Sequence, residues 1–279
     1  MKKLSIVTIN FNDAQGLEKT IKSVISQTFE DFEYIVIDGN STDGSKKILQ
    51  KYKCKLDIAI SEPDTGIYNA MNKGASFASG EYLLFLNSGD NLYKTTSLQE
   101  LFDTNPKEDI VSCICIEYNE KNRYKKIPPK EISLFSFINS SLPHPSTLIR
   151  SSIFSKVGGY HEKYRIISDW CFFIEALIIH NASYCTREIE LSEFNCFGIS
   201  STTQILERDL CTQFLNDKFN RIIIDYPSIK YEALFNVAYW ITSLQGKKLK
   251  ISLLPFKIIN HILNLRNYLG KRIGIKKIY

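Results

Sequence analysis

Four short polar clusters hold the residues of this chain that are equipped for chemistry. They read Thr8-Ile9-Asn10-Phe11-Asn12, Asp38-Gly39-Asn40-Ser41-Thr42-Asp43-Gly44, Ser61-Glu62-Pro63-Asp64-Thr65-Gly66 and Asn87-Ser88-Gly89-Asp90. Carboxylates, amides and hydroxyls dominate them. Such groups suit a hard divalent cation, which prefers oxygen ligands and commonly takes one or two carboxylates, leaving its other positions to phosphate oxygens and water. They also suit a diphosphate and hydroxyl-rich ligands. Other chemistries have no anchor. No G-x-G-x-x-G or G-x-x-x-x-G-K-[ST] follows a strand, which disfavours a dinucleotide site or a P-loop. No Gly-x-Ser-x-Gly elbow offers a hydrolase nucleophile, and no His/Cys set has zinc spacing.

The elements that must position these clusters alternate in type. Strands are predicted at Leu4–Ile9, Glu33–Asp38, Leu56–Ile60 and Glu81–Leu86. Between them lie helices: one capped by Asp13 with the stripe Leu17, Ile21, Val24 and Ile25, one opened by Asp43-Gly44-Ser45, and one over Ile67–Ala78. Strands joined by crossover helices imply a mostly parallel sheet with covered faces. In such a sheet ligands bind beyond the carboxyl ends of the strands, which is where all four clusters fall. Any one of them would serve as a plain turn, since turns use Asp, Asn, Ser and Gly. Four along one edge favour a shared site.

After residue 95 the pattern loosens. Ser97-x-x-Glu100 has the form of a capping box, Ile110–Ile116 reads as a strand, and Pro128, Pro129, Pro143 and Pro145 mark loops. Ser168 is predicted to cap a helix with the stripe Trp170, Phe173, Ile174, Leu177 and Ile178, and Ser201-x-x-Gln204 opens another. The expected organisation is a domain over 1–200, divided into halves 1–95 and 96–200, followed by a helical extension over 201–279.

Composition bounds the function. The 279 residues are 44% hydrophobic and 23% charged, an ordinary globular balance. No run approaches the roughly 18–20 apolar residues of a spanning helix. The net charge of +5 is uneven: residues 247–279 hold nine Lys/Arg and no Asp/Glu, so the preceding 246 residues carry net −4. A mildly acidic body is not the surface of a nucleic-acid binder, and no nucleic-acid partner is expected. The tail also spaces Ile251, Leu254, Ile258, Ile259, Ile262, Leu263, Leu265 and Leu269 at helical intervals. A basic amphipathic segment of this kind can lie on an anionic membrane or pack on the body with its basic face in water. The seven scattered cysteines read as isolated small hydrophobes in a reducing compartment. The Met-Lys-Lys start leads into a strand rather than a secretion signal. The expected location is cytoplasmic, peripheral at the inner face of the cell membrane.

The segments SIVTINFN, QTFEDFEYIVIDGNSTDGS, SEPDTGIYNAMNKG and GEYLLFLNSGD resemble, in order, the motifs of family 2 glycosyltransferases, above all bacterial enzymes of surface-polysaccharide biosynthesis. HPSTLIR, GGYHEKYRIISDWCFFIEAL and FGIS are similar to the second half of the same group. The likeness runs from about residue 3 to about 200. It implies an α/β fold of the GT-A type, a nucleotide-diphospho-sugar donor such as a UDP-sugar, a saccharide or lipid-linked saccharide acceptor, and a divalent metal, Mn²⁺ or Mg²⁺.

Position by position, the resemblance makes Asp38 the acid that meets uracil, with Thr8, Asn10 and Phe11 walling the base. Asp64 and Lys73 fall in the segment that approaches the nucleotide and diphosphate. Asp90 is the last acid of the family's D-x-D metal motif. The first acid is missing: the chain reads Asn87-Ser88-Gly89-Asp90, with Asn87 and Ser88 on the donor side. Asp169 matches the catalytic base; at the start of a helix it would also be favoured as a simple dipole partner. His144, between two prolines, and Trp170 are candidates to touch the acceptor, and His144 could equally be a structural loop residue. Tyr68, Tyr160 and Tyr164 could stack on sugars or pack the core.

The implied reaction is a single displacement. Asp169 takes the proton of the acceptor hydroxyl as that oxygen attacks, while the metal and Lys73 stabilise the leaving diphosphate. The anomeric centre inverts. Retention would need a second carboxylate across the sugar, and none stands out. Two alternatives remain. One is a sugar nucleotidyltransferase, against which stands the Asn10-Phe11-Asn12-Asp13 loop where a Gly-rich basic loop is expected. The other is a non-catalytic nucleotide-sugar-binding protein. A processive synthase would need spanning helices and a Gln-x-x-Arg-Trp motif, and neither Trp170 nor Trp240 follows an arginine.

Overall fold

The computed structural model describes residues 2–119, 122–133, 137 and 141–195, together with 210, 211, 213–215, 217 and 218. All belong to the first of two compact units, Met1–Pro227; the second, Ser228–Tyr279, contains the basic tail and lies outside the described residues. The same is true of the helix expected to open at Ser201. No helix among the described residues is long and apolar enough to cross a membrane.

The first half follows the predicted alternation. β1 (Leu4–Asn10), α1 (Ala14–Ile25), β2 (Phe32–Asp38), α2 (Ser45–Tyr52), β3 (Ile58–Ser61), α3 (Ile67–Phe77) and β4 (Tyr82–Asn87) form a parallel run in the order β3-β2-β1-β4. In register, Asn10 lies beside Asp38, Asp38 beside Ser61, and Ile9 beside Asn87. The four polar clusters therefore share one edge. Asp13 caps α1, accepting from the Gly16 amide at 2.9 Å.

Alternation along the strands divides the edge between two faces. Leu4, Ile6, Tyr34, Val36, Leu84 and Leu86 pack in one core with Leu17, Ile21 and Val24 of α1. Val7 and Ile37 point the other way, under α3, where Gly74 comes so close that an added Cβ would sit 2.3 Å from Val7. Each fully buried Leu or Ile contributes about 1.5–3 kcal/mol.

Beyond β4 the chain adds β5 (Asn91–Leu92), α4 (Ser97–Asp103), β6 (Ile110–Tyr118), β7 (Arg123–Lys126), β8 (Thr147–Arg150), α5 (Ser151–Val157), α6 (Ser168–Ile174) and β9 (Tyr184–Asn195). The sheet continues as β4-β8-β6-β9-β5, with β7 on β6. Here directions mix: β8 runs against β4 and β6, whereas β9 runs parallel to β6 through a bulge. The sheet expected to be mostly parallel is wholly so in its first half, and in the second β9 stays parallel to β6 while β5, β7 and β8 pair antiparallel. Two predicted caps are corrected. Ser97 is inside α4, and its hydroxyl donates to the Glu190 carbonyl at 2.9 Å. Ser168 is inside α6, where Ile167 is the cap residue. The stripe predicted to run on through Leu177 changes at Glu175 into a π-helical turn over Glu175–Ile179. Packing continues past residue 200: Phe214 meets Trp170 edge to face at 5.7 Å, and Lys218 pairs with buried Glu175 at 2.6 Å.

Candidate active site

Asp38, at the end of β2, is wholly buried. Its Oδ1 accepts from Asn10 Nδ2 (2.6 Å) and Ser41 Oγ (2.5 Å), and its Oδ2 from the Ser41 amide (3.0 Å) and Ser61 Oγ (2.6 Å). A carboxylate offers about four lone-pair positions, and all are filled. Burial pushes its pKa up, but the donors from Ser41, Ser61 and Asn10 outweigh this and hold it below the ordinary value. The acid expected to meet a base therefore has its acceptor positions taken by the protein's own donors. Asn10 is likewise committed, its Oδ1 accepting from Ser88 Oγ at 2.8 Å. Thr8 is sealed, its hydroxyl paired with the Tyr34 phenol at 3.0 Å. Together they form the floor of the edge rather than a wall for a ligand.

The opposite face presents what the floor does not. The Phe11 ring is 67% exposed. A Cβ on Gly39 would lie 2.5 Å from Asp64 Oδ2 and 3.1 Å from Phe11 Cδ2. Phe11, the bare backbone of Gly39 and the Asp64 carboxylate are therefore gathered in one place. Asp64 Oδ1 accepts from the Gly66 amide at 3.0 Å, and its Oδ2 has no donor among the described residues. An exposed aromatic beside an unpartnered carboxylate oxygen can stack on a flat ring and accept from its edge N–H. Lys73 pairs with Glu62 at 2.7 Å and reaches the Pro63 carbonyl at 3.4 Å, bracing the loop that carries Asp64.

Asp90 follows β4 and is 4% exposed. One oxygen accepts from the Asn87 amide at 2.9 Å. The other accepts nothing among the described residues. Burial raises its pKa to about 7, against the smaller opposing effects of the Asn87 amide and Lys19. The side-chain oxygens of Asn87 and Asn91 are also buried without a partner. Asp90 and the two asparagines thus offer oxygen acceptors short of donors within residues 87–91, the ligand type that Mg²⁺ or Mn²⁺ takes. Among the described residues there is no group of three or more His, Cys, Asp or Glu placed to hold a metal. The fit therefore rests on one carboxylate and two amides.

Asp169 is the second residue of α6, where the helix dipole favours a carboxylate. Its Oδ1 accepts from the buried Tyr68 phenol at 2.8 Å. Its Oδ2 has no donor among the described residues. His144 and Tyr160 are close behind: burial holds the His144 imidazole below its usual pKa, with the Asp169 charge opposing. Asp90 and Asp169 make no contact with each other. The charges that act on Asp90 come from α1, while Asp169 acts on Tyr68, Tyr160 and His144.

The two acceptor candidates both take part in packing, Trp170 buried and His144 half-buried. Trp170 is 7% exposed, and its indole N–H donates to the Phe137 carbonyl at 2.9 Å. The His144 ring stacks on Phe85 at 5.6 Å, and its Nε2 meets the Tyr160 hydroxyl at 2.8 Å. Both belong to the packing behind Asp169. Residues to which the sequence gave no individual role are Ser41 and Ser61 around Asp38, Asn91 near Asp90, and Asn72 and Glu162, which tie α3 to the segment before Asp169. Gly39 carried the one available signal: a glycine ending a buried strand often marks a close approach.

A parallel half-sheet with a polar edge, a carboxylate–amide turn and a helix-borne carboxylate define a nucleotide-sugar transferase fold. The chain matches the Glycosyl transferase family 2 profile over residues 5–169 and belongs to that family. A PGL/p-HBAD biosynthesis glycosyltransferase of Mycobacterium bovis is 30% identical over 207 residues, 71% of this chain and 79% of that one. The fold is that of Staphylococcus aureus TarS. Its 1–349 fragment, solved with UDP-GlcNAc, superposes with a TM-score of 0.60 at 19% identity, covering 82% of this chain and 77% of that one. The chain spans 46% of the longer TarS chain. A mannosyltransferase of Pyrobaculum calidifontis, solved with GDP-Man and Mn²⁺, gives a TM-score of 0.59 at 15% identity, covering 98% and 83%.

Proposed function

We propose that this family 2 glycosyltransferase moves a hexose from a UDP-sugar to a hydroxyl of a saccharide or lipid-linked saccharide, with inversion, in cell-surface polysaccharide biosynthesis. The observation that carries the reading is Asp169: a carboxylate at a helix start with one oxygen held by a phenol and the other without a donor. In the reaction the acceptor oxygen bonds to the anomeric carbon as the bond from that carbon to the diphosphate breaks. The electron pair leaves on the diphosphate, and the hydroxyl proton passes to Asp169 Oδ2. Phe11, Gly39 and Asp64 receive the base, and Lys73 exchanges Glu62 for phosphate oxygens. Asp90, with the Asn87 and Asn91 side-chain oxygens, would hold the divalent cation. A bound cation there supplies charge to offset the leaving diphosphate. TarS was solved with a UDP-sugar, which supports this donor class. The relative in PGL/p-HBAD biosynthesis supports an envelope-directed acceptor.

The test is UDP release from a panel of UDP-sugars with Mn²⁺ and an acceptor mixture. Asp169→Asn keeps the shape and removes the base, and turnover should fall about 10²–10⁴-fold. Unchanged turnover removes Asp169 from the reaction. The reading further places the protein at the cytoplasmic face of the membrane through residues 247–279. Equal sedimentation of the full chain and of 1–246 with anionic vesicles would overturn that placement.

A further inference from the structure

One helix grips the whole segment that carries the base. Tyr68, Asn69 and Asn72 lie on neighbouring positions of α3, and each bonds into residues 160–169. Asn69 Nδ2 donates to Glu162 Oε2 at 2.9 Å, and Asn72 Nδ2 to Glu162 Oε1 at 3.0 Å and to the Tyr160 carbonyl at 2.8 Å. The Tyr160 amide returns a bond to Asn72 Oδ1 at 2.8 Å. The Tyr68 phenol lies within reach of two acceptors, the Ile166 carbonyl and Asp169 Oδ1, which share its single proton, and the charged carboxylate is the stronger acceptor of the two. At its other side, α3 begins directly after the loop that brings Asp64 to Gly39. The donor cradle and the base are thus fastened to the same rigid element.

We propose that Tyr68 is a positioning residue for the reaction: its phenol fixes Oδ1 of Asp169, so that Oδ2 alone is left to receive the acceptor proton. The inference rests on Asp169 being the base, as argued above. A free carboxylate rotates about its last torsion, which is broad and two-fold. Anchoring one oxygen from a buried ring removes that freedom, and orientation of a catalytic group is a recognised source of rate. Burial first, and then the Asp169 charge, hold the Tyr68 phenol well above its usual pKa, so it stays a donor. A ring serving as packing alone would need no polar partner on Asp169. The ring also touches Tyr160 at 5.4 Å between centroids, a contact that phenylalanine preserves.

The experiment compares wild type, Tyr68→Phe and Asp169→Asn with the same donor and acceptor, across pH. Tyr68→Phe should lower kcat about tenfold, leave the donor KM within about twofold, and move the acidic limb of the kcat profile to higher pH, because the ionised base loses a donor. Loss of the Ile166 contact alone would not move that limb. Replacing Tyr68 by 3-fluorotyrosine, a more acidic phenol of nearly equal shape, should move the limb to lower pH. If Asp169→Asn abolishes turnover while both Tyr68 substitutions leave kcat and the limb as in wild type, the inference is overturned and the base stands. If Asp169→Asn turns over normally, the base itself is overturned. Thermal melting of each variant guards the comparison against misfolding.

Discussion

Two aspartates lie along the same edge of the parallel half-sheet, Asp38 ending β2 and Asp90 just beyond β4 with β1 between them, and their surroundings are opposite. Asp38 has four donors for its four lone-pair positions, and its pKa lies below the ordinary value although burial pushes it up. Asp90 is about as deeply buried but receives one backbone amide, beside two amide oxygens that accept nothing among the described residues. The first environment is complete without a ligand. The second leaves acceptors open, as the proposed cation site would require. Buried polar groups are normally satisfied, so unmet acceptors around a buried carboxylate point to function, and full satisfaction points to architecture. The resemblance assigned Asp38 to the donor; the donor count assigns it to the floor.

The largest effect should come from Asp38→Ala. It leaves the Ser41 amide, two hydroxyls and the Asn10 amide facing a void, a network loss of about 3–5 kcal/mol. Urea unfolding should show it as a fall in midpoint. A variant as stable as wild type, yet impaired in UDP binding, would break the contrast and return Asp38 to the ligand.

Asp90→Asn should act the other way. In metal-free protein, wild type bears an ionised, poorly solvated carboxylate once pH rises through about 7. Because the folded-state pKa is raised, the stability linked to protonated Asp90 is fully present below the ordinary carboxylate value and is lost as pH rises from there to about 7. The Asn variant escapes the loss and should be the more stable protein at pH 8 in EDTA, by about 1–2 kcal/mol. Adding Mn²⁺ should raise the melting temperature of wild type and leave the variant unmoved. Equal Mn²⁺ stabilisation of both would remove Asp90 from the ligand set.

These contrasts mark how far the sequence could be read. The edge was legible, because the β1–α1–β2 and β4 patterns are strongly periodic and strand ends locate ligands in open sheets. Which side of the edge a residue serves was harder. Asp38 and Gly39 are adjacent in sequence, yet alternation sends one under the sheet and leaves the other beside Phe11. The donors that neutralise Asp38's reach come from Ser41 three residues on and Ser61 on another strand, and no local pattern announces Ser61. Trp170 and His144 looked available because their neighbours are prolines and a helix start, but Phe137 and Phe85 take them up from distant segments. β9 was missed because Arg187, Glu188, Glu190 and Glu193 suggest a solvated stretch, whereas a bulge against β6 lets the strand carry them as ion-pair partners.

Ser61→Ala asks for the smallest effect and probes the contrast most finely. It removes one of the four donors to Asp38 and leaves the carboxylate in place. The expected cost is about 1 kcal/mol at neutral pH. The sign of its pH dependence follows from the lowered pKa. The stability that Asp38 contributes is present above the unfolded carboxylate value and is lost as pH falls through the folded one. With one donor fewer, the folded value moves back toward the ordinary range, so acid unfolding of the variant should begin at higher pH than in wild type. Ser61 is itself exposed, so water could replace its hydroxyl. An acid midpoint identical to wild type would mean that it does. Asp38 would then have a lone pair open to the cleft, and its likeness to Asp90 would be closer than the hydrogen bonds suggest.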